Sequence, residues 1–281
     1  MMKKFLSLGL AALLALSLAA CGGTYSAGGS TVNSAQSQAG SLSGTASLDL
    51  TADPAAYLEG KKVGVQQGTI GDTFVSNLEC TPVQFTKYAD AVSALEQGKV
   101  DVVVLDKQSA AAFMGQKQQL AVFETPLSSK EFGIAIKKGN TQLTEQFNQA
   151  IAQLREEGTL DSILEYYLNG DTTKGYTTPE GTQYPNGKLV MATNATYPPY
   201  EYLDGEEIVG IDPDIAKAIC DKLGYELVIQ DMEFDAVLAA VNSGKADFGA
   251  STLTITEERL KNVDFTDGYA ESVLVCMVAA Q

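Results

Sequence analysis

The sequence contains no histidine and no tryptophan, and only two of its 281 residues are arginine, Arg155 and Arg259. The absence of histidine excludes Ser-His-Asp triads, histidine-ligated metal sites and the commonest general base of enzymes. The 35 acidic residues outnumber the 19 basic ones and give a formal net charge of −16, which disfavours binding to nucleic acid. With 45% hydrophobic residues, the chain still has enough apolar side chains to build two ordinary domains.

The first residues carry the pattern of an export signal. Lys3 and Lys4 precede an apolar run over 5–20 that is too short for a comfortable membrane span, and we expect a signal peptide at 1–20. The sequence Leu-Ala-Ala-Cys that ends at Cys21 resembles a bacterial lipobox, in which the cysteine becomes the lipidated first residue of the mature protein. The alternative is an ordinary signal peptide whose cleavage site contains a cysteine by chance.

Residues 21–53 are predicted to form a flexible tether, because they are rich in Ser, Gly, Ala and Thr and have few large apolar side chains. We therefore expect an exported protein that is anchored to the cell membrane through Cys21. The other cysteines are Cys80, Cys220 and Cys276, an odd number that cannot pair completely. Cys220 falls in a helical pattern and Cys276 in a strand pattern, where a buried thiol is expected. No cysteine spacing indicates a metal site.

From residue 54 onward, β-rich segments alternate with helical patterns, which is typical of an α/β protein with mainly parallel sheets. The polar segment 169–187 interrupts this alternation, and the pattern restarts at Lys188. A helix, a Gly-Lys turn and a strand that begins at an aspartate occur twice, at 90–101 and 235–247. This repeat predicts two lobes of similar build, with a ligand cleft between them at the carboxyl ends of strands.

Three segments at predicted strand ends carry side chains suited to a ligand. In 194–202, two prolines would present Tyr197 at a fixed angle. In 251–259, hydroxyl side chains cluster, and a capping-box pattern at Thr254 predicts a helix over 255–263. The third segment, 66–69, is a strand-to-helix turn that offers backbone donors.

Arg259 lies in this predicted helix and has a planar fork that suits a carboxylate. The alternative is a solvated arginine that pairs with a neighbouring acidic side chain. Asp106 follows the very apolar predicted strand 100–105, where it either accepts an ammonium group or simply caps the next helix. Together, an anion site and a cation acceptor between aromatic walls fit a zwitterion such as a free amino acid.

Segments of the second half of the chain resemble the N-terminal half of the polar amino-acid-binding proteins of bacterial ABC importers, the family 3 solute-binding proteins; these are 188–202, 208–223, 234–247 and 251–267. Segments 58–69, 98–106 and 132–168 resemble the C-terminal half of that family. The resemblance covers nearly all of 56–279. It implies an α/β fold with two lobes, of the periplasmic-binding-protein-like type II, with a hinge and a central ligand cleft.

The order of the halves implies a circular permutation, because the family's usual second half comes first. Lobe two is then expected at 54–135 and lobe one at 136–281. One covalent crossing near 133–136 would join the lobes. A second crossing would form only if residues 46–50 paired non-covalently with the strand predicted at 272–279.

The resemblance also implies ligand contacts, residue by residue. Arg259 matches the arginine that grips the α-carboxylate of the ligand, and Asp106 matches the carboxylate that holds its α-ammonium group. Asn194 and Tyr197 match ligand-contacting positions, and Asn194 is neutral where cation-binding relatives often carry aspartate. The other implied contacts are Phe234, Ser251, Thr252, Thr254, Gln66 and Thr69.

The function implied by the resemblance is an extracytoplasmic, monomeric lipoprotein that captures a polar amino acid between its lobes and delivers it to an ABC permease. It would not be an enzyme, and no cofactor, metal or nucleic-acid partner is expected. A dehydratase-like enzyme on the same fold is one alternative, although the absence of histidine weighs against it. The other is a sensory ligand-binding module; turnover of a ligand would favour the enzyme, and a cleft that binds nothing would favour the module.

Overall fold

The computed structural model describes residues 48–115, 119–170 and 175–280. The expected signal peptide, the lipidation site Cys21 and nearly all of the expected tether lie outside the described residues. In the part of the chain that is described, no helix combines the length and apolar character needed to cross a membrane.

Sheet A is the framework of lobe two. Its strands are β1 (Lys62–Gln66), β2 (Thr81–Phe85), β3 (Val102–Asp106), β4 (Leu120–Val122), β5 (Ser128–Phe132) and β14 (Ala270–Ala279). They lie in the order β2-β1-β3-β14-β4, with β5 also paired to β14. The helices of this lobe are α1 (Pro54–Tyr57), α2 (Ile70–Val75), α3 (Tyr88–Glu96) and α4 (Lys107–Met114). All five residues of β3 are buried, as expected for a strand covered on both faces.

Sheet B is the framework of lobe one. Its strands are β6 (Ala135–Lys137), β7 (Lys188–Thr193), β11 (Glu226–Asp231), β12 (Phe248–Gly249) and β13 (Val263–Phe265), in the order β11-β7-β12-β6-β13. A small third sheet contains β8 (Thr196–Tyr197), β9 (Glu201–Asp204) and β10 (Glu207–Val209). The helices are α5 (Thr141–Glu156), α6 (Thr159–Asn169), α7 (Ile211–Leu223), α8 (Phe234–Ser243) and α9 (Glu257–Leu260).

The two large sheets exchange one strand each. In sheet A, β1 is parallel to β2 and β3, and the next strand, β14, is antiparallel and arrives from lobe one. In sheet B, β7 is parallel to β11 and β12, and the next strand, β6, is antiparallel and arrives from lobe two. The two lobes therefore have the same strand order, and each is completed by a strand that crosses from the other.

Two covalent crossings follow from this exchange, between β5 and β6 and between β13 and β14. The expectation of a single covalent crossing is wrong, and the last strand of the expected lobe one, β14, lies in sheet A. The expected pairing of 46–50 with 272–279 is also wrong for the described residues 48–50. One edge of β14 pairs with β3 and the other with β4 and β5, whereas the Leu50 carbonyl accepts a hydrogen bond from Glu124 N at 3.0 Å.

The predicted repeat has the same geometry in both lobes. Helices α3 and α8 are each followed by a left-handed glycine, Gly98 with φ 67° and Gly244 with φ 76°. The Asp101 carboxylate then accepts a hydrogen bond from the backbone of Lys62 in β1 at 2.8 Å, and the Asp247 carboxylate accepts one from Val190 in β7 at 2.7 Å. The repeated aspartate thus ties the strand after each helix to the neighbouring parallel strand.

Three local expectations differ from the structure. The predicted strand 132–137 is divided, because Phe132 ends β5 in sheet A and β6 begins at Ala135 in sheet B. The predicted helix 255–263 is reduced to α9, and β13 follows it. Its N-cap is Thr256 rather than Thr254, because the backbone of Thr254 is extended and forms a β-bridge with Phe132.

The expected burial of the two core thiols is confirmed, since Cys220 and Cys276 have no exposed surface. Burial raises the pKa of both thiols to about 12, so neither is a thiolate at neutral pH. Cys80, the other cysteine of the described part of the chain, is also free.

The repeated aspartates provide a matched test of the lobes. Asp101→Ala and Asp247→Ala should each lower the free energy of unfolding by about 1 kcal/mol, because each removes a carboxylate acceptor from a backbone N–H. Chemical denaturation measures both, with Asp101→Asn and Asp247→Asn as controls that keep one acceptor oxygen. Alanine variants that are as stable as the unmodified protein would contradict the structural role of the repeat.

Candidate functional site

A small cavity of about 30 Å³ lies between the lobes, at the ends of β1 and β3 in one lobe and beside β8 and α9 in the other. Its lining residues are Gln66, Thr69, Ile70, Tyr88, Asp106, Phe132, Tyr197, Phe234, Thr252, Thr254, Arg259, Ser272 and Leu274. Eight of the ten ligand-contacting residues expected from the sequence are among them. The other two, Asn194 and Ser251, are buried beside this cavity.

Arg259 supplies the positive charge of the cavity. Its Nη1 donates to the Thr254 carbonyl at 2.9 Å, and its Nη2 donates across the cleft to the Gly68 carbonyl at 3.2 Å. The guanidinium carbon lies 5.7 Å from the centre of the Phe234 ring, which places the cation over an aromatic face. Burial lowers the pKa of Arg259 to about 10, so the group stays protonated at neutral pH. Among the described residues no acidic side chain forms a salt bridge with it.

Asp106 supplies the negative charge. The side chain is 5% exposed and caps α4, since Oδ1 accepts from Gln108 N at 2.9 Å, while Oδ2 accepts from Val273 N at 2.9 Å. Tyr200 also donates its hydroxyl to Oδ1 at 3.3 Å. Burial is the largest cause of a pKa raised to about 6, and the hydrogen bonds oppose it. From its sequence position, Asp106 is either a helix cap or an ammonium acceptor; its side chain caps α4 and also lines the cavity.

Hydrogen bonds cross the cleft at its sides. Gln66 donates its amide to Asn194 Oδ1 at 2.9 Å, and the N–H of Asp106 donates to the Tyr197 hydroxyl at 2.9 Å. With the Arg259 contact to Gly68, these bonds join residues of sheet A to residues around sheet B. The structure therefore has the lobes in contact around the cavity.

Aromatic rings form the apolar part of the site. The Tyr197 ring is buried, with its centre 4.9 Å from that of Tyr88 and 6.3 Å from that of Phe113. Phe132 packs edge-on against Tyr200 at 5.2 Å between ring centres. The expectation that Tyr197 is presented beside its two prolines therefore agrees with its place in the cavity wall.

The hydroxyl segment of the cleft, residues 251–254, is held in place by hydrogen bonds to buried side chains behind the cavity wall. Thr252 has a φ of 46°, in the left-handed region, and among the described residues it is the non-glycine residue with a positive φ. Its backbone N–H donates to Asp212 Oδ2 at 2.8 Å. Ser251 Oγ accepts from Asn194 N at 3.0 Å and donates to Glu201 Oε1 at 3.1 Å. The cavity-facing geometry of 251–254 is thus fixed by buried acidic side chains.

Sequence reasoning missed several lining residues: Ile70, Tyr88, Phe132, Ser272 and Leu274. Phe132 ends β5, and Ser272 and Leu274 lie on β14, so these three residues flank the connections between the lobes rather than the strand ends that the sequence singled out. A signal existed for Ser272, a small polar residue just before the apolar run of β14; its Oγ lies 3.2 Å from Thr254 Oγ1. Glu201 and Asp212 were also missed, since an acidic residue gives no sequence sign that it is buried.

Comparison with known proteins identifies the family. The sequence model of the bacterial extracellular solute-binding proteins, family 3, matches residues 69–170 and 189–281, which include parts of both lobes. The chain belongs to this family. The expected family is thereby confirmed, and the expected α/β fold with two lobes agrees with sheets A and B and the cleft between them.

Individual relatives match shorter parts of the chain. The arginine-binding extracellular protein ArtP of Bacillus subtilis is 45% identical over 89 residues, or 32% of this chain and 35% of ArtP. The L-cystine-binding protein TcyJ of Escherichia coli K12 is 34% identical over 124 residues, or 42% of this chain and 45% of TcyJ. The arginine-bound form of domain 1 from TmArgBP is 36% identical over 34% of this chain and 82% of that domain, with a TM-score of 0.29. In these alignments the chain spans less than half the length of the two curated relatives.

Proposed function

We propose that this protein is an extracytoplasmic receptor that captures a free amino acid between its lobes and delivers it to an ABC importer. The observation that carries the proposal is the pair of opposite charges in one cavity, Asp106 and Arg259, neither of which has a salt-bridge partner among the described residues. An α-ammonium group would bind Asp106 and an α-carboxylate would bind Arg259, whose planar fork suits a bidentate contact. Family membership and relatives named for binding arginine and cystine support the amino-acid class.

The side chain of the ligand is proposed to be polar and uncharged. Asp106 and Arg259 are the only acidic and basic residues among those that line the cavity, and the α-groups of the ligand would use both. The polar side chains of Gln66, Thr69 and Thr252 also line the cavity, where their oxygen atoms can accept hydrogen bonds from a polar side chain of the ligand. A second full charge on the ligand would be desolvated without a partner, which is costly.

Export and anchoring belong to the same proposal. The charged start, the apolar run and the lipobox-like sequence before Cys21 support lipidation and attachment to the outer face of the cell membrane. An anchored receptor would hold its ligand near a permease in that membrane. Closure would follow when the ligand contacts both lobes at once, because only the closed state offers Asp106 and Arg259 together.

A thermal-shift screen of residues 24–281 against the twenty amino acids tests the binding function. Ligand at a hundredfold excess over Kd should stabilise the protein by about 2.7 kcal/mol, so a ligand raises Tm clearly. Arg259→Ala should abolish the shift. Arg155→Ala is the matched control, because it removes the other arginine, which contacts Gly268 rather than the cavity. A folded protein that responds to no amino acid, or an Arg259→Ala variant that responds fully, would contradict the proposal.

Ligand affinity should also depend on pH through Asp106. Because the pKa of Asp106 is about 6, acidification removes the charge that binds ammonium, and affinity should fall by up to about tenfold per pH unit below 6. The stability of the ligand-free protein should depend on pH in the opposite direction. The pKa of Asp106 in the folded state lies above its unfolded value of about 3.9, so the contribution of Asp106 to stability becomes more favourable as pH falls from about 7 to 4.

Isothermal titration calorimetry between pH 4.5 and 8 measures the effect on affinity. Asp106→Asn should bind weakly and lose most of this pH dependence, while Lys107→Gln, next to it on α4, should keep it. An Asp106→Asn variant whose affinity has the wild-type pH profile would assign the titration to another group.

Circular permutation is likewise proposed. The separate matches over 69–170 and 189–281 and the exchanged strands β6 and β14 support it. Both ends of the described body reach the same segment: Glu124 N donates to the Leu50 carbonyl at 3.0 Å, and Ala280 N donates to the Gln119 carbonyl at 2.7 Å. Ends that lie at the surface and contact one segment make a change of connectivity tolerable.

A rearranged chain tests this point. Residues 175–280, followed by a short Gly/Ser linker and residues 48–170, should fold with a Tm within a few degrees of that of 48–280 and bind the same ligand, because no strand pairing is lost. Circular dichroism and the thermal-shift assay measure both properties. A rearranged chain that stays unfolded would show that the present order of the lobes is required.

A further inference from the structure

A pair of acidic side chains lies buried behind the hydroxyl segment of the cleft. Glu201, at the start of β9, has no exposed surface, and Asp212, in the first turn of α7, is 1% exposed. The two side chains are neighbours, because Asp212 accepts a hydrogen bond from the backbone N–H of Thr252 and Glu201 accepts one from the hydroxyl of the same residue. In the described part of the chain no lysine or arginine forms a salt bridge with either of them.

The hydrogen-bond donors around the pair are unevenly divided. Both oxygens of Asp212 accept, Oδ1 from the Tyr269 hydroxyl at 2.7 Å and Oδ2 from Thr252 N at 2.8 Å. Glu201 Oε1 accepts from the hydroxyls of Ser251 at 3.1 Å and Thr252 at 3.3 Å. Glu201 Oε2 is buried and receives a hydrogen bond from no described N–H or O–H group. Two ionised carboxylates in contact, with no cation beside them, would repel each other strongly, and a single shared proton removes the repulsion.

We propose that Glu201 is a neutral carboxylic acid that donates its Oε2–H to the Asp212 carboxylate, and that this pair is a positioning element for the wall of the ligand cleft. It acts on the wall along two routes. One runs through Thr252, whose backbone N–H and hydroxyl are both bound by the pair. The other runs from Glu201 through Ser251 to Asn194, whose Oδ1 accepts from Gln66 across the cleft at 2.9 Å.

The strained backbone of Thr252 explains why such a pair is useful. A non-glycine residue in the left-handed region persists only where the surroundings hold it. The N–H bond to Asp212 and the hydroxyl bond to Glu201 fix this conformation from two directions. Burial and the neighbouring Asp212 charge raise the pKa of Glu201 well above its usual value, which agrees with a neutral side chain. The other titratable groups that face the pair are the phenols of Tyr200 and Tyr269.

Substitutions that keep or remove the donor test the proposal. Glu201→Gln keeps both functions, because its carbonyl oxygen accepts from Ser251 and Thr252 and its amide donates to Asp212. It should bind ligand within about twofold of wild type and keep the same Tm. Asp212→Asn should instead lower Tm by more than about 4 °C, because its amide nitrogen would face a donor. Glu201→Ala should weaken ligand binding at least tenfold, a loss that Glu201→Gln rescues.

Infrared spectroscopy gives a readout of the proton itself. At pH 7 the wild-type protein should show the carbonyl band of a buried protonated carboxylic acid, which Glu201→Gln should remove. Glu207→Gln, at an exposed position of β10, should leave the band unchanged. Absence of the band in wild type, or a Glu201→Gln variant as impaired as Glu201→Ala, would overturn the proposal. The positioning role rests on the proposed function, whereas the infrared band and the Tm values test the shared proton even if no ligand is found.

Discussion

Two opposite charges face one small cavity, and neither is neutralised by a salt bridge within the described residues. Asp106 is buried and Arg259 is half-buried, and the loss of hydration raises the pKa of the first and lowers that of the second. Removing charges from water costs several kcal/mol unless an oppositely charged partner compensates. The protein keeps this arrangement because each charge has neutral hydrogen-bond partners: backbone N–H groups and a phenol at Asp106, and two carbonyls at Arg259. A zwitterion placed between them would supply both missing counter-charges at once.

The fold positions these charges by exchanging strands between lobes. Asp106 ends β3 and binds the backbone of Val273 in β14, a strand that arrives from the other lobe. Arg259 lies on the short helix α9, just after Thr254, whose backbone bridges to Phe132 at the other crossing. The segments that carry Asp106 and Arg259 are therefore bonded directly to the connections between the lobes. A motion at either crossing would change the separation of the two charges, as the proposed closure of the lobes on a ligand requires.

The sequence predicted the parts of this structure that depend on local patterns. Two lobes of similar build were predicted from the repeat of a helix, a Gly-Lys turn and an aspartate. This pattern can be read from the sequence because the glycine ends the helix and the aspartate binds the backbone near the start of the neighbouring strand. The resemblance to a family identified eight residues that line the cavity. The lobe to which β14 belongs could not be predicted, because an apolar strand fits either sheet. Only its pairing with neighbouring strands places it in sheet A. The prediction of a helix that starts after Thr254 was wrong for a related reason, because a tertiary β-bridge outweighed the local capping pattern. The burial of Glu201 and Asp212 likewise depends on packing that a sequence does not display.

The central claim is that the cleft binds both α-groups of a free amino acid. A crystal structure of the protein with the amino acid that gives the largest thermal shift tests it most directly. We expect the ligand's ammonium nitrogen within hydrogen-bond distance of Asp106 and its carboxylate on the guanidinium of Arg259, with the lobes closed around it. A ligand bound in the reverse orientation, or bound outside this cavity with both charged residues unoccupied, would contradict the account.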